Sequence, residues 1–365
     1  MDLERALAAV DGLETPVAVR DDAAMERNLA RMAAVAERAG VRLRPHAKTH
    51  KSAAVGRRQL DHGAVGLTVA TLQEAEVFAD SGVADLVIAH PPAGRAKLNR
   101  LTHLAARVRR LAVALDDVEL AVQVPRSVEI LWEVDTGLHR VGTPVGEATL
   151  EAVRRLVAAV GQDRFRGLLT HGGHAYRAAD QAQRRAAAEE ESQGLVATAE
   201  LIRGAGIAVA EVSVGSTPTA GFAPEFSGVS EIRPGTYVYG DANQVTLGSQ
   251  ALEDCALAVV ATVVSTPAAD RCVLDCGSKS LSADRIVAGL DGFGLVLGHP
   301  ALGVARLSEE HAVLTAPDGT GLRVGDRVAV VPAHACTTVN LHPYLLAFDE
   351  SGRSRWEAVE ARGWR

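Results

Sequence analysis

Short β-rich segments alternate with amphipathic helical segments from about residue 41 to residue 241. Eight β segments with helical crossovers between them are typical of a closed (β/α)8 barrel of parallel strands. An open doubly wound sheet is the alternative, but no GxGxxG turn follows the first β segment. The pattern therefore predicts barrel strands at 41–45, 66–70, 85–90, 110–114, 128–135, 167–171, 209–215 and 231–239.

Helical stretches are predicted between these strands at 71–80, 144–160 and 181–204. The first has the signature of a capped start, because Thr71 is followed three residues later by Glu74. The last ends at Gly204 and Gly206, and glycine is the residue that most often ends a helix.

The pattern changes after residue 241, where short strands are separated by Gly, Pro and Asp turns and show little helical period. Strands are predicted at 257–265, 271–275, 293–297, 311–314 and 327–331, which indicates an antiparallel β domain. The first twenty residues, with a β-rich stretch at 15–19, are expected to join it. The predicted division is a barrel at 20–241 and a β domain formed by 1–19 and 242–365.

Charge and hydropathy exclude several classes of partner. The 365 residues carry a net charge of −7, which argues against a nucleic-acid partner because such proteins need a basic face. No apolar run of about 18 residues occurs, and the chain does not start with a charged segment followed by an apolar one. We expect a soluble, cytoplasmic protein that does not associate with membranes.

Lysine is scarce in this chain, and arginine fills the other 34 of the 38 basic positions. Where arginine is the habitual surface cation, a lysine can mark chemistry that arginine cannot perform, such as imine formation. The four cysteines form no CxxC pair, so reduced thiols are expected. The four lysines are Lys48, Lys51, Lys97 and Lys279.

Polar and glycine-rich residues follow the predicted strands at their carboxyl ends, which is the end of a (β/α)8 barrel where chemistry takes place. A pocket on this rim is predicted. The residues concerned are Lys48, Thr71, His90, Asp135-Thr136-Gly137, Thr170-His171-Gly172-Gly173-His174, Gly215-Ser216-Thr217 and Gly235-Thr236-Tyr237.

Each of these residues also has a purely structural interpretation. Lys48 alone could be a solvated loop lysine, but a proline, two histidines and a second lysine lie within the same eight residues. Asp135 could be a turn residue with Arg140 as its surface partner. Small residues after a strand, such as Ser216 and Thr217, could form a plain turn, although their N–H and hydroxyl groups also suit a phosphate.

A second group of candidate residues is His334-Ala335-Cys336. If this segment is extended, the imidazole and the thiol lie on the same side, because side chains repeat every two residues in a strand. Both groups favour zinc, and two protein ligands leave positions open for water or substrate. On spacing alone, a buried cysteine beside a histidine is the commoner explanation.

Taken in order, these motifs resemble the D-serine dehydratase / D-threonine aldolase family of alanine-racemase-like, fold-type III enzymes that use pyridoxal 5′-phosphate (PLP). The resemblance extends from about Thr15 to Leu346, and the lysine motif is its most specific part. It is carried by Pro45-His46-Ala47-Lys48-Thr49-His50-Lys51, Glu133-Val134-Asp135-Thr136-Gly137 with Arg140, Thr170-His171-Gly172-Gly173-His174-Ala175-Tyr176, Gly215-Ser216-Thr217-Pro218-Thr219 and His334-Ala335-Cys336.

The resemblance implies a PLP-binding barrel, a β domain that carries the metal pair, and a head-to-tail homodimer whose active sites use both subunits. It implies that Lys48 is the catalytic Schiff-base lysine, with His174 as a second catalytic residue. A divalent metal, zinc before manganese or magnesium, is assigned to His334 and Cys336. The individual roles of Arg140, His171, His174 and Tyr176 stay open. Cofactor contacts are assigned to Lys48, Arg140, Tyr176, Ser216, Thr217, Gly235, Thr236 and Tyr237.

The implied activity is that of a lyase acting on β-hydroxy-D-amino acids. The aldolase branch carries His-x-Asp followed by Pro-Thr. Here His-x-Cys precedes Thr337-Thr338, which favours D-serine dehydratase-like deamination to a 2-oxo acid and ammonia. Retro-aldol cleavage to glycine and an aldehyde is the alternative. More distant alternatives are an amino-acid racemase, which needs no metal, and a non-catalytic PLP-binding protein.

Overall fold

The computed structural model describes residues 1–363, which form two compact units. The first, here called the barrel unit, comprises Arg31–Lys48 and Ala53–Gly235, with Gly363. The second, here called the β unit, comprises Met1–Ala30, Thr49–Ser52 and Thr236–Arg362. The chain thus leaves the barrel unit directly after Lys48 and returns to it four residues later.

The strands, in chain order, are β1 Val17–Asp21, β2 Arg42–Leu43, β3 Leu67–Val69, β4 Asp85–Ile88, β5 Arg110–Leu115, β6 Glu129–Asp135, β7 Thr143–Pro144, β8 Phe165–Leu169, β9 Glu211–Val214, β10 Glu231–Ile232, β11 Leu257–Ala268, β12 Arg271–Leu274, β13 Gly294–Val296, β14 Gly303–Leu307, β15 Ala312–Thr315, β16 Arg327–Pro332, β17 Tyr344–Phe348 and β18 Ser354–Ala358.

The α-helices are α1 Leu3–Ala9, α2 Asp22–Ala39, α3 Ala53–Asp61, α4 Leu72–Asp80, α5 Arg95–Ala105, α6 Val118–Gln123, α7 Glu147–Val160, α8 Gln181–Gly204, α9 Thr217–Ala220, α10 Ala242–Thr246, α11 Ser278–Leu281 and α12 Ala335–Leu341. The start of α4 has the predicted cap, because the Thr71 hydroxyl accepts the N–H of Glu74 at 3.2 Å. The prediction for α8 is confirmed at both ends.

Eight parallel strands form the barrel unit in the order β2, β10, β9, β8, β6, β5, β4, β3. A bridge between His46 and Thr68 closes the ring, and the N–H of Thr68 donates to the carbonyl of Pro45 at 2.8 Å. The predicted (β/α)8 barrel is therefore confirmed, and the predicted rim residues follow its strands at their carboxyl ends. Its interior is packed with buried apolar side chains, including Val87, Ala112, Ala114, Leu131 and Leu169.

The last barrel strand is much shorter than predicted. The sequence predicts a strand over 231–239, but β10 contains only two residues and a 3-10 turn covers Thr236–Val238. Pro234 lacks the N–H that a continuing ladder needs, so pairing stops before it. This early stop puts Gly235 and the turn after it at the carboxyl end of the barrel rather than inside a strand.

Ion pairs occupy the amino-terminal end of the barrel. The buried Arg44 donates to Glu231 at 2.9 Å and to Asp85 at 2.6 Å. Arg110 donates to Glu211 at 2.8 Å. Asp85, Arg110, Glu211 and Glu231 are the first residues of their strands, so this network lies at the end of the barrel where polar residues serve stability, opposite the predicted pocket rim.

In the β unit, β11, β16, β13, β14, β15 and β12 form an antiparallel barrel, which closes because β12 pairs back onto β11. The sheet continues from β11 through β1, β17 and β18. The amino-terminal strand therefore joins this unit, and its pairing with β17 is parallel. Strands β14, β17 and β18 were not predicted from the sequence.

Candidate active site

Lys48 lies in a 3-10 turn over Ala47–Thr49, directly after β2, and its side chain is half-buried. Its backbone N–H approaches Nδ1 of His46 at 3.4 Å, and His46 makes the bridge that closes the barrel. The turn is therefore anchored to the barrel wall at the point where the ring closes. A lysine held in this way has a defined position, unlike a solvated loop lysine.

His171 lies after β8 and is electrostatically coupled to Lys48. Burial, and after it the positive charge of Lys48, lowers the pKa of His171 to about 3, so the imidazole is neutral. Its Nδ1 is 2.9 Å from the carbonyl oxygen of Gly215, which can only accept, so the ring proton is on Nδ1. Nε2 is therefore an acceptor. The sequence left the role of His171 open, and in the structure its imidazole is neutral and electrostatically coupled to Lys48.

Glu133, near the end of β6, is a buried acid that the sequence analysis did not assign. Its Oε1 is 3.9 Å from Nη2 of Arg140, and its Oε2 has no hydrogen-bond partner among residues 1–363. Burial raises the pKa of Glu133 to about 7, although Arg140 and Arg233 oppose the shift. An acid at an inward position of a predicted buried strand is the signal that could have revealed it.

The Glu133 carboxyl makes stability depend on pH in a defined direction. Because its pKa is raised from 4.5 to about 7 on folding, the native state holds this proton more tightly than the unfolded chain. The corresponding stabilisation is complete below pH 4.5 and is lost as pH rises through 7. In the wild type, the free energy of unfolding should therefore fall by on the order of 3 kcal/mol on this account as pH rises. We expect Glu133→Gln to lack this decrease when thermal unfolding is followed from pH 5 to 8. Identical pH dependence in variant and wild type would contradict the assignment.

His174 lies in the 3-10 turn Gly173–Arg177 after β8. Both of its ring nitrogens are buried, and neither has a hydrogen-bond partner in the described part of the chain. The nearest charge is Oε2 of Glu190, 4.0 Å from Nε2. The ring lies against Gly137, where an added Cβ would be 3.4 Å from Nδ1. Buried polar atoms normally have partners, so the His174 ring is suited to contact a bound molecule. Tyr176, in the same turn, is half-buried.

The turn after β9 has features that suit a phosphate. Gly215 has a φ of +151°, and a Cβ there would lie 2.6 Å from the backbone nitrogen of Arg233, so the turn requires glycine. Ser216 caps α9, and its hydroxyl is 3.0 Å from that of Thr219. The buried carboxylate of Glu191 accepts the N–H of Gly215 at 2.9 Å. The hydrogen bond from Gly215 to Glu191 thus fixes the turn. Ser216 and Thr217 begin a helix, and the free N–H groups at a helix start favour anions.

Two further predicted cofactor residues lie beyond β10. Gly235 ends the barrel unit, and Thr236 and Tyr237 begin the 3-10 turn that belongs to the β unit. All three are buried, and the Thr236 hydroxyl is 3.8 Å from the sulfur of Cys336. The barrel unit therefore contains Lys48, Arg140, His171, His174, Tyr176, Ser216, Thr217 and Gly235, and the β unit contains Thr236, Tyr237, His334 and Cys336.

The local conformation predicted for His334-Ala335-Cys336 is wrong. The segment is not extended, because His334 is the N-cap of α12 and Cys336 lies in its first turn. The buried carboxylate of Asp241 accepts the N–H of Ala335 at 3.0 Å and so stabilises the helix start. The side chains of His334 and Cys336 are nevertheless in contact. The hydrogen bond between them is one of the causes that raise the pKa of His334.

A carboxylate orients the His334 ring. Nδ1 of His334 is 2.9 Å from Oδ2 of Asp284, which also accepts the hydroxyl of Thr337 at 2.8 Å. Burial opposes the charged ring, but the Cys336 sulfur and the Asp284 hydrogen bond outweigh it and raise the pKa of His334 to about 11. Metal-binding histidines commonly donate their second N–H to a carboxylate in this way. Nothing in the sequence pattern pointed to Asp284.

The donor chemistry of this pair fits a divalent metal such as zinc, with an imidazole nitrogen and a thiolate as ligands. No cluster of three or more His, Cys, Asp or Glu side chains that could hold a metal occurs within residues 1–363. A metal held by His334 and Cys336 would therefore keep positions open for water or substrate. The hydroxyl of Thr49, the residue after Lys48, is 3.1 Å from the Cys336 sulfur.

Comparison with known protein families agrees with this architecture. Residues 21–243 match the alanine racemase N-terminal domain, and residues 256–348 match a serine dehydratase domain. The chain therefore has the alanine-racemase-like barrel followed by the serine dehydratase type of β domain. It belongs to the alanine-racemase-like family that includes D-serine dehydratase and D-threonine aldolase, which confirms the resemblance seen in the sequence motifs.

Three relatives illustrate the similarity. The chain is 36% identical to D-threo-3-hydroxyaspartate dehydratase of Delftia sp., covering 96% of this chain and 98% of that protein. It is 33% identical to D-threonine aldolase of Arthrobacter sp., with 98% and 94% covered. The solved structure of the Delftia dehydratase superposes with a TM-score of 0.88 at 34% identity, covering 97% of this chain and 99% of that one. Within residues 1–363, no helix has the length and hydropathy needed to cross a membrane.

Proposed function

We propose that this chain is a PLP- and metal-dependent lyase of β-hydroxy-D-amino acids whose main reaction is D-serine dehydratase-like deamination. The observation that carries the proposal is the His334–Cys336 pair, whose sulfur lies 3.1 Å from the hydroxyl of the residue after Lys48. The family resemblance assigns Lys48 and this metal pair to one active site, and a metal pair suits cleavage at Cβ, because a racemase would need no metal at the substrate hydroxyl.

The residues of the barrel unit fit PLP. Lys48 supplies the amine that binds the cofactor aldehyde, and the Ser216–Thr217 helix start with Gly235, Thr236 and Tyr237 would hold the phosphate. Arg140 and Tyr176 are proposed to contact the ring. The buried Glu133 oxygen and His174 nitrogens, which have no hydrogen-bond partners within residues 1–363, are suited to bound polar groups.

When bound, PLP acts as an electron sink for the Cα carbanion, and a divalent metal stabilises the departing β-hydroxyl as a Lewis acid. Once the substrate amine has displaced it, Lys48 is the base that removes the Cα proton. The β-hydroxyl would leave as water with the proton that Lys48 has taken up, and the released aminoacrylate would hydrolyse to a 2-oxo acid and ammonia. The pKa of His171, lowered to about 3, keeps its imidazole neutral, so it does not compete with Lys48 for this proton.

D-threonine aldolase-like cleavage is the second candidate, and it uses the same residues. The unpartnered ring nitrogens of His174 favour it, because a base is needed to remove the hydroxyl proton before the Cα–Cβ bond breaks. Incubation of the purified protein with D-serine and with D-threonine separates the two reactions. We expect 2-oxo acids and ammonia. Glycine and acetaldehyde from D-threonine would establish the aldolase, and racemisation that survives a chelator would overturn both.

Asp284 is expected to tune the metal site. Asp284→Asn keeps the size of the side chain but weakens the hydrogen bond that orients the His334 ring, so metal affinity should fall about 10- to 100-fold. Zinc titration against a competing chelator measures this change. Asp318→Asn, at an exposed turn of the same unit, is the matched control and should bind as wild type does. Unchanged affinity in Asp284→Asn would show that the carboxylate has no such role.

The same proposal includes a cytoplasmic homodimer in which each active site uses both subunits. It is supported by the family resemblance. Light scattering on the purified protein tests the oligomeric state. Mixing two inactive variants, one altered at Lys48 and one in the β unit, tests shared sites, because mixed dimers would regain about a quarter to a half of the activity only if residues are contributed in trans.

A further inference from the structure

The second lysine of the lysine motif, Lys51, has no part in the proposed reaction. It lies three residues after Lys48 and is buried, although lysine is almost never buried unless its ammonium group is paired. Its backbone has a φ of +52°, in the left-handed region that residues other than glycine, asparagine and aspartate seldom adopt. Such a conformation persists only where the surrounding structure fixes it, so the contacts of Lys51 call for a functional explanation.

Two hydrogen bonds join Lys51 to Ala361, which lies 310 residues further along the chain. The backbone N–H of Ala361 donates to the carbonyl of Lys51 at 3.0 Å. In the opposite direction, Nζ of Lys51 donates to the carbonyl of Ala361 at 3.4 Å. Both residues belong to the β unit. This pair of hydrogen bonds is here called the Lys51 clamp.

The carboxyl-terminal partner of the Lys51 clamp is itself fixed within the β unit. Ala361 and Val359 are both buried, and the N–H of Val359 donates to the carbonyl of Pro343, directly before β17, at 2.9 Å. Strand β18, which precedes these residues, pairs with β17 along its whole length. Ala361 is therefore a defined partner, and its two bonds can fix the position of Lys51.

The Lys51 clamp acts on the four residues that directly follow Lys48. This segment, Thr49–Ser52, belongs to the β unit, and all four of its residues are buried. At its start, the Thr49 hydroxyl is 3.1 Å from the sulfur of Cys336. On the other side of Lys48, His46 makes the bridge that closes the barrel. The backbone of Lys48 is therefore fixed on both sides along the chain, and the clamp is part of the fixation that follows it.

We propose that Lys51 is a positioning residue for Lys48. Through the Lys51 clamp it fixes the segment Thr49–Ser52, and so the place from which the Lys48 amine binds the cofactor and removes the Cα proton. The inference rests on the proposed function, in which Lys48 performs both tasks. Proton transfer is sensitive to this placement, because displacing a catalytic group by about 1 Å can lower the rate on the order of 100-fold.

Lys51→Met tests the proposal in the holoenzyme, because methionine keeps a long unbranched side chain but cannot donate to Ala361. Steady-state kinetics are measured with the β-hydroxy-D-amino acid that wild type turns over fastest. We expect kcat to fall about 10- to 100-fold with KM within about twofold of wild type, because Lys48 acts in the chemical step. Lys51→Gly adopts a positive φ without strain but also lacks the amine, so it should show the same loss.

Lys279→Met is the matched control, because Lys279 is an exposed lysine of the same unit. It should leave kcat and KM within about twofold of wild type. Wild-type kcat in Lys51→Met would overturn the positioning role while the proposed function stands. Wild-type kcat in Lys51→Gly would also overturn it, because the backbone conformation alone would then be sufficient. A change in KM without a change in kcat would contradict an effect on Lys48.

Amide hydrogen exchange of the holoenzyme, followed by mass spectrometry of its peptides, gives a result that does not depend on turnover. In Lys51→Met, exchange should become about tenfold faster in two separate peptides, one containing Ala361 and one containing Lys48. The barrel strands β5 and β6 should exchange as in wild type.

Faster exchange at Ala361 alone would refute the positioning role, because loss of the Lys51 clamp would then leave the Lys48 turn unchanged. Faster exchange throughout the protein would refute it as well, because Lys51 would then serve only global stability. If wild type turns over no β-hydroxy-D-amino acid while both peptides respond, the proposed function alone is refuted.

Discussion

Replacement of Lys48 by alanine is expected to lower turnover of β-hydroxy-D-amino acids by about 10⁴-fold or more, because the same amine binds the cofactor and removes the Cα proton. The variant should also lose the visible absorbance of lysine-bound PLP. Borohydride reduction of the wild-type holoenzyme, followed by peptide mapping, should place the cofactor on the peptide that contains Lys48.

Lys279→Ala is the control for this experiment. Lys279 is an exposed lysine paired with Glu309 and Glu310 at 3.0 and 2.7 Å, and its removal should change kcat/KM by less than about twofold. The assignment fails if the reduced cofactor is found on Lys51, Lys97 or Lys279. It also fails if Lys48→Ala retains absorbance and turnover.

Replacement of His334 by alanine is expected to lower kcat/KM for dehydration about 10³-fold, because a bound metal contributes several kcal/mol to hydroxyl departure. The metal content of the purified variant should fall to near zero by elemental analysis. Cys336→Ala should behave in the same way, and a chelator should bring wild type to the same residual activity.

His311→Ala is the control, because His311 is an exposed histidine of the β unit directly before β15. It should keep both metal and activity. Full dehydration activity of His334→Ala after exhaustive chelation would exclude a metal-dependent step. Loss of activity with normal metal content would place the metal elsewhere.

Much of the barrel could be predicted from the sequence, because local patterns decide it. The alternation of β and helical segments predicts eight strands, and all eight occur. The Thr71 cap and both ends of α8 follow from local hydrogen bonding and glycine conformation. The strand predicted over 231–239 was too long, because the effect of Pro234 on pairing was not recognised.

The candidate site was predictable in its residue types and less so in its contacts. The lysine motif and the His-x-Cys pair stand out as short patterns, but the extended conformation expected for the pair was wrong. Asp241 and Asp284 contact this segment from positions 94 and 50 residues away from the residues they bind. No local pattern marks such partners.

Lys48 illustrates the difference between what the sequence determines and what only the tertiary structure decides. The sequence by itself determined that this lysine follows the first barrel strand, because strand periodicity and turn residues are local properties of the chain. Only the tertiary structure decided that neutral His171 is electrostatically coupled to it, and that Glu133 and His174 have unpartnered polar atoms. These facts depend on burial and on charges brought together by closure of the barrel, and neither is encoded within a single stretch of residues.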